Sequence, residues 1–322
     1  MSGFCLRVKE KKPDGFRLIV LITVVLPLLL AAASPDYAGA EACAKCHPAE
    51  FKAQSASSHA HALARSTGSQ PGEWAFGAGD QAITFVSRAD PDHYREEGRS
   101  WYRKLNGFAP TPGAATPAGT IYRIFDPSAR ILSCFSCHST GPLTLASDDS
   151  IVPHELGVRC EDCHGPAAAH ARSPAEHRPQ NPRRLDPVRF NDFCGSCHRM
   201  PLGANETADF RDPWNVRHQP LMLAASRCFR EGKLTCLTCH SPHAQLQRNL
   251  AAYDAACKGC HAAPKHKTVA LTGSCAGCHM PQVKPTPYLS FANHRIAIYS
   301  ASDPLVPVSA AISETHPAPA RR

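Results

Sequence analysis

The chain is short of the material from which an ordinary globular core is built. Aromatic residues make up only 7% of its 322 residues, so large ring side chains are too few to organise a fold of this length. It also lacks an apolar run long enough to span a bilayer. The longest, Leu18 to Ala33, has 16 residues and contains Pro27, short of the roughly 20 that a spanning helix needs. No block of Lys and Arg and no aromatic platform marks a nucleic-acid surface. No single period repeats along the chain, which excludes a solenoid.

What is abundant is cysteine, with 16 residues, and histidine, with 18, far above ordinary usage. The N-terminus carries Arg7, Lys9, Lys11, Lys12 and Arg17, then the apolar run, then small residues, the pattern of an export signal. Ala38 and Ala40 occupy the small positions of an A-x-A cleavage site. Residues 1–40 are therefore expected to be removed, Cys5 with them, leaving a protein in the periplasm or otherwise exported. The alternative is an uncleaved anchor on the periplasmic side of the inner membrane, the one route to membrane attachment. Outside the reducing cytosol, paired cysteines could be disulfides.

Spacing decides between the cysteine chemistries. Fourteen of the sixteen cysteines fall in seven copies of C-x-x-C-H: Cys43, Cys46, His47; Cys134, Cys137, His138; Cys160, Cys163, His164; Cys194, Cys197, His198; Cys236, Cys239, His240; Cys257, Cys260, His261; and Cys275, Cys278, His279. Chance in this composition would supply about 0.04 copies. A disulfide framework does not require a His after every second Cys, a thioredoxin-like dithiol is expected once, and a zinc array does not fix the Cys-His dipeptide in each copy. Covalent haem c needs all three residues. The two thiols form thioethers to one haem, and the adjacent imidazole is the proximal ligand to its iron. Seven covalently attached haems c are expected. Each motif is followed within four residues by a proline, which ends the haem-bearing turn.

The spare residues bear on the second axial ligand. Eleven histidines lie outside the motifs, of which His59, His61, His154, His170, His218, His243, His266 and His294 are distal candidates, while His93, His177 and His316 read as surface residues. His170, in CHGPAAAH, and His243, in CHSPH, stand just beyond a haem turn, where they reach a neighbouring haem more easily than their own. Cys228 is the one cysteine outside the motifs once residues 1–40 are gone. No motif ends in Lys in place of His.

Seven haems on about 282 remaining residues leave near 40 residues each, too few to wrap each haem in its own domain. The expected fold is therefore mainly α with much irregular coil around a core of stacked haems, occupying residues 41–299, with 300–322 a flexible tail. Motif one precedes motif two by 91 residues, whereas the later motifs are 18 to 42 apart. The gap contains QAITFV, HYRE, SWYRKL and TIYRIF between turn-rich stretches, so a small β-hairpin insert is expected at about 80–126. Five basic and three acidic residues lie in residues 1–40, so their loss takes the formal charge from +8 to +6. Fourteen propionates then bring the holoprotein to roughly −1 oxidised and −8 reduced. The basic composition is thus no nucleic-acid signal.

Four stretches, EACAKCHPAEFKAQSASSHAHA, GVRCEDCHGPAAAH, SRCFREGKLTCLTCHSPH and SCAGCHMPQ followed by NHRI, spread the likeness from residue 41 to about 296. In them the chain resembles the multihaem cytochromes c related to the tetrahaem cytochrome c-554 of hydroxylamine oxidation. The resemblance implies haems stacked in close parallel and perpendicular pairs, and axial roles for His170, His243 and His294. It also implies that most such proteins relay electrons while some relatives are enzymes. Seven motifs in place of four mean that the tetrahaem pairing scheme does not transfer whole.

Two functions compete. One is an electron carrier between redox proteins, such as a quinol dehydrogenase or other cytochromes. The other is an oxidoreductase acting on a small nitrogen or sulfur compound at one five-coordinate haem. The carrier is preferred, because the spare histidines suffice for seven irons and no catalytic constellation can be named.

Overall fold

The computed structural model describes residues 36–124, 130–199, 208–232, 234–262, 266 and 273–308. Residues 1–35 of the expected export signal, and His316, lie outside them. The expectation of a mainly α fold is not met. The longest helix among the described residues is Pro187–His198, with 12 residues, and strands build four antiparallel sheets.

The largest sheet has seven strands: β1 (Leu63–Arg65), β2 (Trp74–Phe76), β3 (Ala82–Asp90), β4 (His93–Glu96), β5 (Arg99–Tyr102), β6 (Gly107–Pro110) and β7 (Thr120–Arg123). Its order is β1-β2-β3-β4-β7, with β5 on β3 and β6 on β5. The nine-residue β3 serves two partners along one edge: Ala82 and Ile83 pair with β5, and Val86 to Asp90 pair with β4 across a bulge. The insert is therefore a full sheet that starts at Leu63, well before residue 80.

Three two-stranded ribbons follow the first and last haem motifs of the later chain. They are β8 (Ser139–Leu145) with β9 (Ile151–Leu156), β10 (Gln282–Thr286) with β11 (Leu289–Ala292), and β12 (Tyr299–Ser300) with β13 (Asp303–Pro307). Pro142, Pro153, Pro285 and Pro304 sit inside them. A central strand would lose ladder bonds to proline, but in a two-stranded ribbon each strand has a free edge and tolerates it. Residues 300–308, expected as the start of a loose tail, instead return as β13. Asn293 Nδ2 donates to the Pro304 carbonyl, and Leu305 packs against the Val216, Met222 and Val283 cluster.

Apolar packing is divided among three clusters rather than one core. The main one joins the sheet to the helix of motif two, Arg130–His138. Phe135, with no exposed surface, lies edge-on to Trp74, Phe76 and Tyr94 at 5.0, 5.0 and 5.9 Å between centroids. The sheet thus grips the chain through the variable position of a haem motif. Tyr102 joins Leu289 and Ala109 in a second cluster that ties β5 to β11.

The segment after motif one is held against the start of motif three by backbone contact. The Val158 N–H donates to the His59 carbonyl at 2.8 Å, and Gln54 Nε2 donates to the Val158 carbonyl at 2.7 Å. Gly157 makes this approach possible: its φ is +76°, and a Cβ there would lie 2.0 Å from the Ala60 carbonyl oxygen. Gly157→Ala is expected to destabilise the holoprotein by roughly 2–4 kcal/mol, from left-handed strain together with backbone overlap, as measured by guanidinium denaturation.

Candidate haem centres

Each motif folds as one turn of helix. The His47, His240 and His261 N–H groups each donate to the carbonyl of the first cysteine of their motif at 2.9 Å. Positions i, i+3 and i+4 share a face, so both thiols and the imidazole come to one side. Local residues start these turns. Asp186 caps the helix of motif four by accepting from the Arg189 N–H, Ser274 does the same for motif seven, and a Thr235–Thr238 capping box opens motif five. Gly165, at φ +73°, ends motif three. Pro48 closes the turn of motif one and begins a new helix, Pro48–Ser55.

The turns pack against one another. The Cys43 thiol lies in hydrogen-bond reach of Cys160, Cys137 of Cys197, Cys194 of Cys236, and Cys257 of Cys275. Burial first, then the neighbouring thiol, pushes Cys43 up to about 12, and burial is the main reason that Cys163 rises to about 11. Cys228 is half-buried, with burial raising its pKa and Cys260 close enough to add to the rise.

Five of the seven motif histidines face a second histidine ring. His47 stands 6.5 Å from His170 between centroids, His198 6.0 Å from His59, His164 6.0 Å from His243, His240 6.3 Å from His294, and His279 6.2 Å from His266. Of the eight distal candidates, these five are brought to a motif and three are not. His61 is exposed, His154 packs on the Tyr37 ring at 5.1 Å, and His218 Nε2 accepts from the Arg199 guanidinium at 3.2 Å. His93 pairs with Asp92 at 2.7 Å. His177 contributes its carbonyl, to which the Nδ1–H of His170 donates at 2.7 Å.

Backbone carbonyls orient the rings. Nδ1 of His138, His164, His279 and His294 donates to the carbonyls of Ala62, Gln180, Ala297 and Ala292 at 2.8–3.0 Å, which leaves Nε2 as the free nitrogen. Burial lowers the pKa of His59, His138, His198, His240 and His243 and takes that of His294 to about 4. These imidazoles are therefore neutral, the form that binds metal.

The arrangement fits haem iron. Imidazole nitrogens bind metals at roughly 2 Å, which puts two rings on opposite sides of one ion at about 6 Å between centroids. Among the described residues no three His, Cys, Asp or Glu side chains gather into a metal cage; the donors come in twos, as axial ligands do when a porphyrin supplies the remaining four positions. Motif two differs. Its His138 ring meets Phe76 edge-on at 5.3 Å and faces no second histidine among the described residues. His261 of motif six is exposed, and residues 263–265 and 267–272 beside it lie outside the described residues.

Residue reasoning missed Glu161, a variable position of motif three. It is buried, at 2% exposure. Its carboxylate accepts from the N–H groups of Ala38, Gly39 and Ala167, each at 2.8 Å. Nothing in CEDCH distinguishes this acid from its neighbour Asp162, which accepts no such contacts and is pushed up to about 6 by burial.

A family model described as cytochrome c554 and c-prime matches residues 123–165, the stretch from the end of the sheet through motifs two and three. No curated protein matches the chain. Among solved structures, the outer cell wall cytochrome OcwA aligns with a TM-score of 0.53 and 17% identity, over 81% of this chain and 79% of that one. An undecahaem cytochrome from the S-layer of Carboxydothermus ferrireducens aligns at 0.49 and 16% identity, over 82% of this chain and 52% of that one. The likeness to OcwA is one of fold. The chain resembles the multihaem cytochromes c related to cytochrome c554, which supports haem c as the covalent cofactor and electron transfer as the general function.

Glu161→Ala strands one buried and two partly buried N–H groups and is expected to cost roughly 2–4 kcal/mol. Glu161→Gln keeps one acceptor oxygen and should cost about half as much, both read from guanidinium unfolding of the holoprotein.

Proposed function

We propose that the chain is an exported relay of seven covalently attached haems c, passing electrons between redox proteins such as a quinol dehydrogenase and other cytochromes. The observation that carries this is the interleaving of the histidine pairs. His170 follows motif three and faces motif one; His59 follows motif one and faces motif four; His243 follows motif five and faces motif three. Ligands exchanged in this way force the irons they share to be neighbours. The thiol contacts set motif one beside three, two beside four, four beside five and six beside seven. Tyr253 bridges the remaining step, with its ring 5.4 Å from His240 and its place just ahead of the helix Asp254–Lys258 that holds Cys257. The attachments thus link one to three and four, three and four to five, and five through six to seven, with two beside four.

When bound, haem supplies reversible one-electron exchange. The chain's part is to hold it. Cys43, Cys46 and the other twelve motif cysteines would anchor it, and the motif histidines would be its iron ligands. His59, His170, His243, His266 and His294 would supply the second ligands, and backbone carbonyls on Nδ1 fix the rings of His138, His164, His170, His279 and His294. Partial burial of rings such as His59, His138 and His240 is one means by which the chain would tune the potentials.

Motif two favours a second reading. With Phe76 beside His138 and no opposing histidine among the described residues, its iron is the place where a small nitrogen or sulfur compound would bind if the protein is an oxidoreductase. Export follows from the N-terminal pattern. No helix among the described residues is long and apolar enough to cross a membrane, so any anchor is the N-terminal segment.

Haem analysis together with low-temperature electron paramagnetic resonance tests the proposal. Seven haems per chain are expected, at least five of them low-spin and indifferent to cyanide or nitrite. Fewer than five low-spin haems would overturn the ring pairing. A high-spin signal that shifts with nitrite and disappears in His138→Ala would establish the second reading, and its absence would remove it.

A further inference from the structure

The loop between β2 and β3, Gly77 to Gln81, projects one acid away from the sheet. Gly77 and Gly79 hold it with φ of +106° and +75°, and Asp80 reaches across to two segments distant in sequence. Its carboxylate accepts from the Ser58 hydroxyl and the Arg248 guanidinium, from Gln245 Nε2 at 3.2 Å and from Arg103 at 3.4 Å. Gln245 closes the ring: its Oε1 accepts from the Ser58 N–H at 2.8 Å. Burial opposes the ionised carboxylate, but the bonds from Ser58 and Arg248 and the Arg248 charge hold its pKa below the usual value.

The clamped segments are the ones that matter. Ser58 precedes His59, which faces His198 of motif four. Gln245 stands two residues after His243, which faces His164 of motif three. The His59 ring is itself in hydrogen-bond reach of the Pro242 carbonyl, so a closed circuit runs Asp80, Ser58, His59, Pro242, His243, Gln245 and back to Asp80. We infer that Asp80 is a positioning residue that sets two distal histidines at once, those of the third and fourth haems in the middle of the relay. A sheet that carries no haem motif thereby controls ligation at the centre of the chain. This rests on the ligand assignment of the relay.

The test uses the holoprotein with Asp80→Ala and Asp80→Asn beside His59→Ala and His243→Ala. Each histidine variant should convert one haem to a high-spin form that binds carbon monoxide when reduced. Asp80→Ala should leave the haem count unchanged and speed carbon monoxide or cyanide capture at up to two haems by about 10–100-fold, the range for loss of an outer-shell partner. Asp80→Asn, which retains acceptor capacity but not charge, should fall between. If both histidine variants gain a carbon monoxide site while both Asp80 variants stay at the parental rate, the positioning role is wrong and the ligand assignment stands. If the histidine variants themselves show no change, the ligand assignment is what fails. Should Asp80→Ala lose haem altogether, the Asp80→Asn rate decides.

A different observation carries a second inference. Residues 36–40, part of the segment expected to be removed, are built into the body of the protein. Glu161 takes the Ala38 and Gly39 N–H groups, Glu155 takes that of Ala40 at 3.2 Å, the Ala168 N–H donates to the Asp36 carbonyl at 3.2 Å, and Arg172 pairs with Asp36 at 2.8 Å. Ala40 is 1% exposed. Cleavage after Ala40 would strip the buried Glu161 of two of its three partners. We infer that the leader is cut before Asp36, where Ala31 and Ala33 provide another A-x-A site and Ser34 the new end. N-terminal sequencing and intact mass of the exported holoprotein should give a start at Ser34; a start at Glu41, or an uncut chain, would overturn the inference.

Discussion

A pair of imidazoles held about 6 Å apart, one from a C-x-x-C-H turn and one from another segment, is the constraint on which this fold depends. The five pairs span separations of 13 residues, His266 to His279, up to 139, His59 to His198. Two rings at such a distance with nothing between them gain little from each other. Their placement makes sense as the two faces of one ion, and the free energy of that bond then falls on the long-range contacts of the fold. Carbonyl acceptors on Nδ1 do the local part, fixing ring rotation so that the ordering cost is met by hydrogen bonds that any backbone can supply.

The apolar clusters follow from the same constraint. A chain with one C-x-x-C-H turn in about 40 residues has little left for helix–helix packing, and of its three clusters one enters a motif, at Phe135. Two contacts of the seven-stranded sheet with the motif-bearing chain differ in character. Phe135 is an apolar plug in motif two, insensitive to charge. Asp80 is a polar clamp on the His59 and His243 segments, partly buried at Ser58 and exposed at Gln245 and Arg248, with a strength that depends on its charge.

The cofactor turns were legible in the sequence because their chemistry demands fixed residues at fixed spacing, and histidines such as His170 and His243 were legible because they stand so close to a motif. The choice of His59 over His61 was not. It depends on the Val158 N–H meeting the His59 carbonyl across 99 residues, and on Gly157 allowing that approach. His154 and His218 share the residue type of the ligands, but Tyr37 and Arg199 claim their rings. The expectation of a mainly α fold rests on the few residues available per motif and overlooks the ribbons β8–β9, β10–β11 and β12–β13, whose strands each keep an edge free and so accommodate proline. Glu161 and Asp80 carry no local signal at all, since an acid that binds backbone or clamps a loop looks the same in sequence as one in water.

Motif two shows how these constraints combine. It is the turn on which the sheet closes, with Phe135 buried among Trp74, Phe76 and Tyr94 and the Ile151 N–H donating to Tyr94 Oη on the far side. Its His138 is anchored by the Ala62 carbonyl, which belongs to the strand approach rather than to another haem segment. Where the other ring-paired motifs obtain a histidine from the haem-bearing chain, this one obtains Phe76 from the sheet. A phenyl edge cannot ligate. The same sheet that steadies two distal histidines through Asp80 therefore provides an apolar wall at the motif beside the fourth. Where the paired motifs present two imidazoles to each other, motif two presents one imidazole and an apolar wall.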